Sequence, residues 1–276
     1  MIDTPGRRLS VSTWSLHRTL GRPDIYGVEA GFHIPIAPHG KGALSLLELP
    51  ARLATFGIHT LELCHFHLPS LDPGYLAELH AALQAAQVEL FSLLIDDGDI
   101  VHATHADRDL AWIRGWIEIV GTLGAKCTRV IAGKSAPTQE SLTKSIQALK
   151  HLARLAEELG IRLMTENWFG VLSTPAAVHT VFQHLEGRVG LCLDFGNWTG
   201  PNKYHDLRAI AAYAESCHAK AHFSDLNELD TTDYTQCLEI TAAANFVGPY
   251  TLIYSGLDDD EWAGLAREMQ MVQPYL

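Results

Sequence analysis

The sequence predicts an α/β fold, a single-domain (β/α)8 (TIM) barrel, on three observations. Eight short strand-like runs alternate with helix-period segments along the 276 residues. No low-complexity linker or charge block divides the chain into halves. The length also lies near the ~250 residues usual for such a barrel.

In order, the strand-like runs are RLSVSTWSL, HTLELCHF, VELFSLLID, CTRVIAG, IRLMTEN, VGLCLD, CHAKAHF and YTLIYS. Each is brief, rich in Val, Ile, Leu and Thr, and nearly continuous in apolar character, as strands covered on both faces of a parallel sheet are. Between them lie ALSLLELPARLATFG, PGYLAELHAALQAAQ, RDLAWIRGWIEIVGTLG and TQESLTKSIQALKHLARLAEELG, apolar at i, i+3, i+4 and i+7. Gly57, Gly124 and Gly160 stop three of these helices where the residue past the end needs a positive φ. No GxGxxG or GxxxxGK[ST] string follows any strand, so a closed barrel is favoured over an open nucleotide-binding sheet. The segment 17–42 is too long for an ordinary βα connection. Rising from the end of the first strand, it is read as a lid over the barrel mouth, with Phe32, Ile34 and Ile36 to pack down.

The composition narrows the function classes. Twenty basic against 32 acidic residues leave a net charge of −12, which disfavours nucleic acid as a partner. A chain 47% hydrophobic and only 19% charged is not disordered. No stretch approaches the ~20 apolar residues that span a bilayer. The start, MIDTPGRRLSVSTWS, lacks a signal-peptide core, so no membrane partner and a cytoplasmic location are expected. Cys64, Cys127, Cys192, Cys217 and Cys237 form no CxxC pair and read as reduced core residues.

Strand ends point to the functional face of a barrel, so polar groups closing apolar strands single themselves out. Glu166 closes IRLMTEN, Asp194 closes VGLCLD and His218 lies in CHAKAHF. Such a set suits a divalent metal (Mn, Mg, Co or Zn), or else pairs with helix N-termini and basic neighbours. Lys220 shares a strand face with His218 and would stabilise an enolate or alkoxide. Arg129, in an apolar strand, needs a carboxylate partner, and Lys134 at the end of that strand is placed to reach an anionic substrate group. Trp14, Trp168 and Trp198 fall at or after strand ends, where indoles stack on sugar C–H faces or simply fill core. Glu62, His65 and His67 cluster at the second strand, with His67 the preferred acid/base. The run Asp258, Asp259, Asp260, Glu261 reads as a solvated cap on the last helix.

MTENWFGVLSTPAAV, VGLCLDFGNW and CHAKAHFSDLNELDTTDYTQCLEITAAANFVGPYTLIYSG resemble the xylose isomerase-like TIM-barrel superfamily, the sugar phosphate isomerase/epimerase group. The resemblance implies a divalent metal held by Glu166, Asp194 and His218, with a fourth ligand from a Glu on strand eight. That position holds Ile253, so weaker metal binding is expected. Asn197 stands where the group often has His, and is assigned to substrate contacts with Trp14, Glu62, His65, Arg129, Lys134, Trp168 and Trp198. The implied activity is a metal-dependent isomerase, epimerase or lyase on a sugar, keto-sugar or cyclitol, with Glu166, His67 and Lys220 as catalytic groups. A metal-poor sugar-binding barrel or complex subunit is the alternative. An apurinic-site endonuclease is disfavoured by charge, and a homo-oligomer is left open.

Overall fold

The protein is described by a computed structural model covering residues 6–21, 25–34, 42–225, 227–257 and 260–276. Strands β1 (Arg8–Ser12), β2 (Thr60–Cys64), β3 (Glu89–Leu94), β4 (Cys127–Val130), β5 (Arg162–Glu166), β6 (Gly190–Asp194), β7 (Ala214–Lys220) and β8 (Pro249–Ile253) close into one barrel in sequence order. Every neighbouring pair is parallel, and β8 returns to β1. Helices α1 (His17–Leu20), α2 (Leu49–Phe56), α3 (Pro73–Ala85), α4 (Ala106–Leu123), α5 (Gln139–Glu158), α6 (Pro175–Leu185), α7 (Lys203–Ile210), α8 (Thr231–Ala243) and α9 (Glu261–Val272) make the connections. None of the described helices is long and apolar enough to cross a membrane.

Local chemistry sets several boundaries. The first strand is shorter than RLSVSTWSL because the Ser12 side chain accepts from the Trp14 N–H, turning the chain into a short 3-10 helix. The seventh begins three residues before Cys217, at Ala214. Gly57 and Gly124 are left-handed C-caps, as their spacing requires. Asp260 caps α9 through the Ala263 N–H, whereas Glu261 is not solvated. Its buried carboxylate accepts from the backbone N–H groups of Arg18 and Thr19, tying α9 to the loop after β1. Asp258 and Asp259 lie outside the described residues.

Alternation along the strands sorts two layers. Phe91, Cys127, Met164 and Cys192 form a small buried cluster inside the barrel, while the large core fills the space between sheet and helices. All five cysteines are free and buried. At the N-terminal end, two ion pairs from the four odd strands close the barrel, Arg8 with Glu89 at 2.7 Å and Arg162 with Glu215 at 2.5 Å.

Of the long loop, residues 22–24 and 35–41, including Ile36, lie outside the described residues. The described part rests against α4. Tyr26 is buried on the rings of His65 and Trp116, the Trp112 indole donates to the Gly31 carbonyl at 2.6 Å, and Phe32 packs on Trp116. Val28 N–H donates to Asp97 at 2.8 Å.

Candidate active site

The C-terminal ends of the eight strands surround a cavity of about 80 Å³. Its wall carries the carboxylates Asp96, Glu166 and Asp194 and the cationic side chains Arg129 and Lys220. His218, Asn197, Trp14 and Trp168 also line it, and Ile253 supplies an apolar side. The strand-end rule thus brings Glu166, Asp194 and His218 to one point.

His218 is the hub. Its Nε2–H donates to Glu62 at 2.7 Å, and its Nδ1 faces Glu166 at 3.5 Å and Asp194 at 3.6 Å. Burial pushes this imidazole down, but the Cys192 sulfur and the carboxylates of Glu166, Glu62 and Asp194 outweigh it and hold the pKa well above the ordinary histidine value. Burial would raise Asp194, yet His218 and Lys220 keep its pKa below the ordinary carboxylate value. Asp194 Oδ1 also accepts from the N–H groups of Gly196 (2.6 Å) and Asn197 (2.8 Å). Asn167 clamps the Asp194 backbone from both sides, accepting from its N–H at 2.7 Å and donating to its carbonyl at 3.0 Å.

Arg129 enters from β4. Its Nη2 donates to Asp96 at 2.6 Å, its Nε lies 2.9 Å from Glu166 Oε2, and its guanidinium sits 5.2 Å from the Trp168 ring centre. The carboxylate partner that an arginine in this strand requires is therefore a pair of carboxylates. Although burial opposes it, the Arg129 charge holds Asp96 at about 2. Lys220 makes no ion pair with any described residue. Its stem crosses Gly196, where a Cβ would stand 2.7 Å from the lysine Cδ, so a larger residue there would displace the Lys220 chain.

Other expected site residues stand back from the cavity wall. Glu62 lies beneath, on His218. His65 is buried among aromatic rings, donating from Nε2 to the Tyr26 carbonyl and accepting at Nδ1 from the Asp96 N–H. His67 is hydrogen-bonded to Thr13 at 2.9 Å and His17 at 3.1 Å; burial and then His17 lower its pKa to about 3. Lys134 turns to Asp97 and Phe169, and Trp198 is part of the core. Sequence reasoning passed over Asp96 and Asn167. Asp96 carried a usable signal, because VELFSLLID ends on a carboxylate just as VGLCLD does.

Among the described residues, Glu166, Cys192 and His218 form a buried set of metal-ligating type, with ligand atoms within 4.8 Å of one another. The donor chemistry does not suit a resident divalent ion. Burial raises the Cys192 thiol above its ordinary pKa, and it packs with Phe91, Cys127 and Met164. Glu166 Oε1 accepts from Asn197 at 2.6 Å while Oε2 faces Arg129, so a cation would compete with both. At Ile253 the cavity offers hydrocarbon.

Comparison with known proteins agrees with this architecture. An L-ribulose 3-epimerase structure matches with a TM-score of 0.71 at 16% identity, covering 98% of this chain and 95% of the other. A D-allulose 3-epimerase from Methylomonas sp. matches with a TM-score of 0.70 at 14% identity over 99% of both chains. A xylose isomerase-like TIM barrel protein from Mycobacterium smegmatis, in complex with magnesium, matches with a TM-score of 0.67 at 15% identity over 98% and 97%. At these identities the likeness is one of fold. No curated protein matches the sequence. Residues 50–270 match the family described as xylose isomerase-like TIM barrel, and the chain therefore belongs to that family.

Proposed function

We propose that the mouth is an acid–base site that moves a proton on carbon beside a carbonyl, in an isomerase or epimerase acting on a small polyhydroxylated substrate such as a sugar or cyclitol. The observation that carries this is the meeting of Glu166, Asp194 and His218 around one small cavity that also holds an ammonium, Lys220, with no ion-pair partner among the described residues. The epimerase folds above are consistent with it.

In this reading Glu166 takes the proton and the charged His218 returns one to the substrate. Lys220, without an ion-pair partner among the described residues, donates to the developing oxyanion. The Trp14 and Trp168 indoles cover the sugar's C–H faces. Typical ligand pockets measure roughly 300–1,000 Å³, so the rest of the substrate lies in the adjoining cavity of about 370 Å³, which shares Lys220 and reaches Lys203 and His222. The described residues 25–34, held on Asp97 and α4, are the part of the segment 17–42 that we read as a lid. β-Elimination by a lyase uses the same groups with one base.

The test is solvent-deuterium incorporation. Ketoses, aldoses and keto-cyclitols incubated with the protein in D2O should include one whose α-proton exchanges, followed by NMR. Binding of a sugar with no exchange in any candidate would replace this reading with the sugar-binding barrel.

A further inference from the structure

We propose that this barrel works without a resident divalent metal, and that the guanidinium of Arg129 supplies in its place the fixed positive charge that aligns Glu166. The proposal rests on the reading of the mouth as an active site, but its test does not. Four observations carry it.

The first is occupancy of donors. Both oxygens of Glu166 already face nitrogen, Asn197 on Oε1 and Arg129 on Oε2. Asp194 Oδ1 is held by two backbone N–H groups. Glu166 Oε2 makes no hydrogen bond, but the Arg129 charge 2.9 Å away would repel a cation placed on it, and Asp194 Oδ2 already faces His218 Nδ1 at 3.6 Å. The second is Ile253. Its register partner is Lys220, so the β8 side chain turned to the cavity is hydrocarbon and its neighbour on β7 is a cation. The third is charge. Arg129 cannot deprotonate in a protein, and Lys220 stands on the same cavity wall, so a dication would meet two positive groups.

The fourth is construction. Arg129 is not a loose surface cation turned inward. Asp96 holds its Nη2, the Ile95 carbonyl faces its Nη1 at 3.4 Å, and the Trp168 ring lies alongside. Residues at and just past the ends of β3, β4 and β5 supply this cradle, which sets the guanidinium charge 2.9 Å from Glu166 Oε2. Asp96 is thereby a positioning residue: it acts on Glu166 through the guanidinium.

The test uses the purified full-length protein. Elemental analysis should find substoichiometric metal, and titration with Mn²⁺ alone, read by electron paramagnetic resonance, should show no stoichiometric site. Melting temperature should not move with EDTA. The paired change Arg129→Met with Ile253→Glu should tighten Mn²⁺ binding by about 10- to 100-fold, since it removes a competing cation and adds a ligand. If that variant does not fold, Ile253→Glu alone, keeping Arg129, should leave Mn²⁺ binding weak. One tightly bound equivalent in the unmodified protein, or tight binding in Ile253→Glu alone, overturns the proposal. Deuterium exchange that persists in EDTA supports it, and exchange that requires added Mn²⁺ overturns it while leaving the proposed function intact. Absence of exchange under every condition sinks the proposed function instead, and the Mn²⁺ titration still decides this one.

Discussion

The two ends of the barrel both bind arginine to carboxylate, and they do it differently. At the N-terminal end, Arg8–Glu89 and Arg162–Glu215 pair partly exposed side chains. At the mouth a single arginine faces Asp96 and Glu166, all three nearly without solvent contact, with Asp194 and Glu62 close by on His218. Hydrated pairs close a barrel at little cost. An excess of buried carboxylate around one arginine, one imidazole and one lysine is expensive, and is retained where charge must respond to a ligand.

The largest expected effect separates the ends by acid. His67, buried and neutral, has its pKa lowered from 6.5 to about 3 in the folded chain. A depressed folded pKa means stability is full above pH 6.5 and is lost as the pH falls toward 3. Over that window the loss should approach about 5 kcal/mol. Urea unfolding of His67→Gln across pH 3–7 should lack most of that slope; an unchanged slope would put the acid sensitivity elsewhere.

Next is the reaction itself. Glu166→Gln should cut deuterium exchange by about 10²- to 10⁴-fold with the fold intact, as removal of a general base does. Undiminished exchange would remove Glu166 from the chemistry.

Truncating the mouth arginine, Arg129→Met, should cost about 3–5 kcal/mol by urea unfolding, because it strands two buried carboxylates. The matching change at the other end, Arg162→Met, should cost about 1 kcal/mol or less. Equal costs would erase the distinction between the ends.

Much of this contrast was legible before folding. The short apolar runs and the glycine stops placed eight βα units, and the rule that strand ends face the mouth singled out Glu166, Asp194 and His218. Ile253 was recognisable as a lost carboxylate, and it does line the cavity. Less legible was which polar residue after β2 turns inward. His67 lies three residues past Cys64, where a short 3-10 turn swings it onto Thr13 and His17. Lys134, four residues past Val130, is drawn to Asp97 instead of the cavity.

By itself the sequence determined the barrel and the strand ends that carry chemistry, because short apolar runs alternating with helix-period segments are local patterns. Only the tertiary structure decided the charge pairing. Arg129 meets Asp96 from the strand before it and Glu166 from the strand after it, and Glu62 meets His218 across 156 residues. Those partners are chosen by barrel closure, which brings distant strand ends within hydrogen-bonding distance where water no longer screens them, and no local pattern encodes that choice.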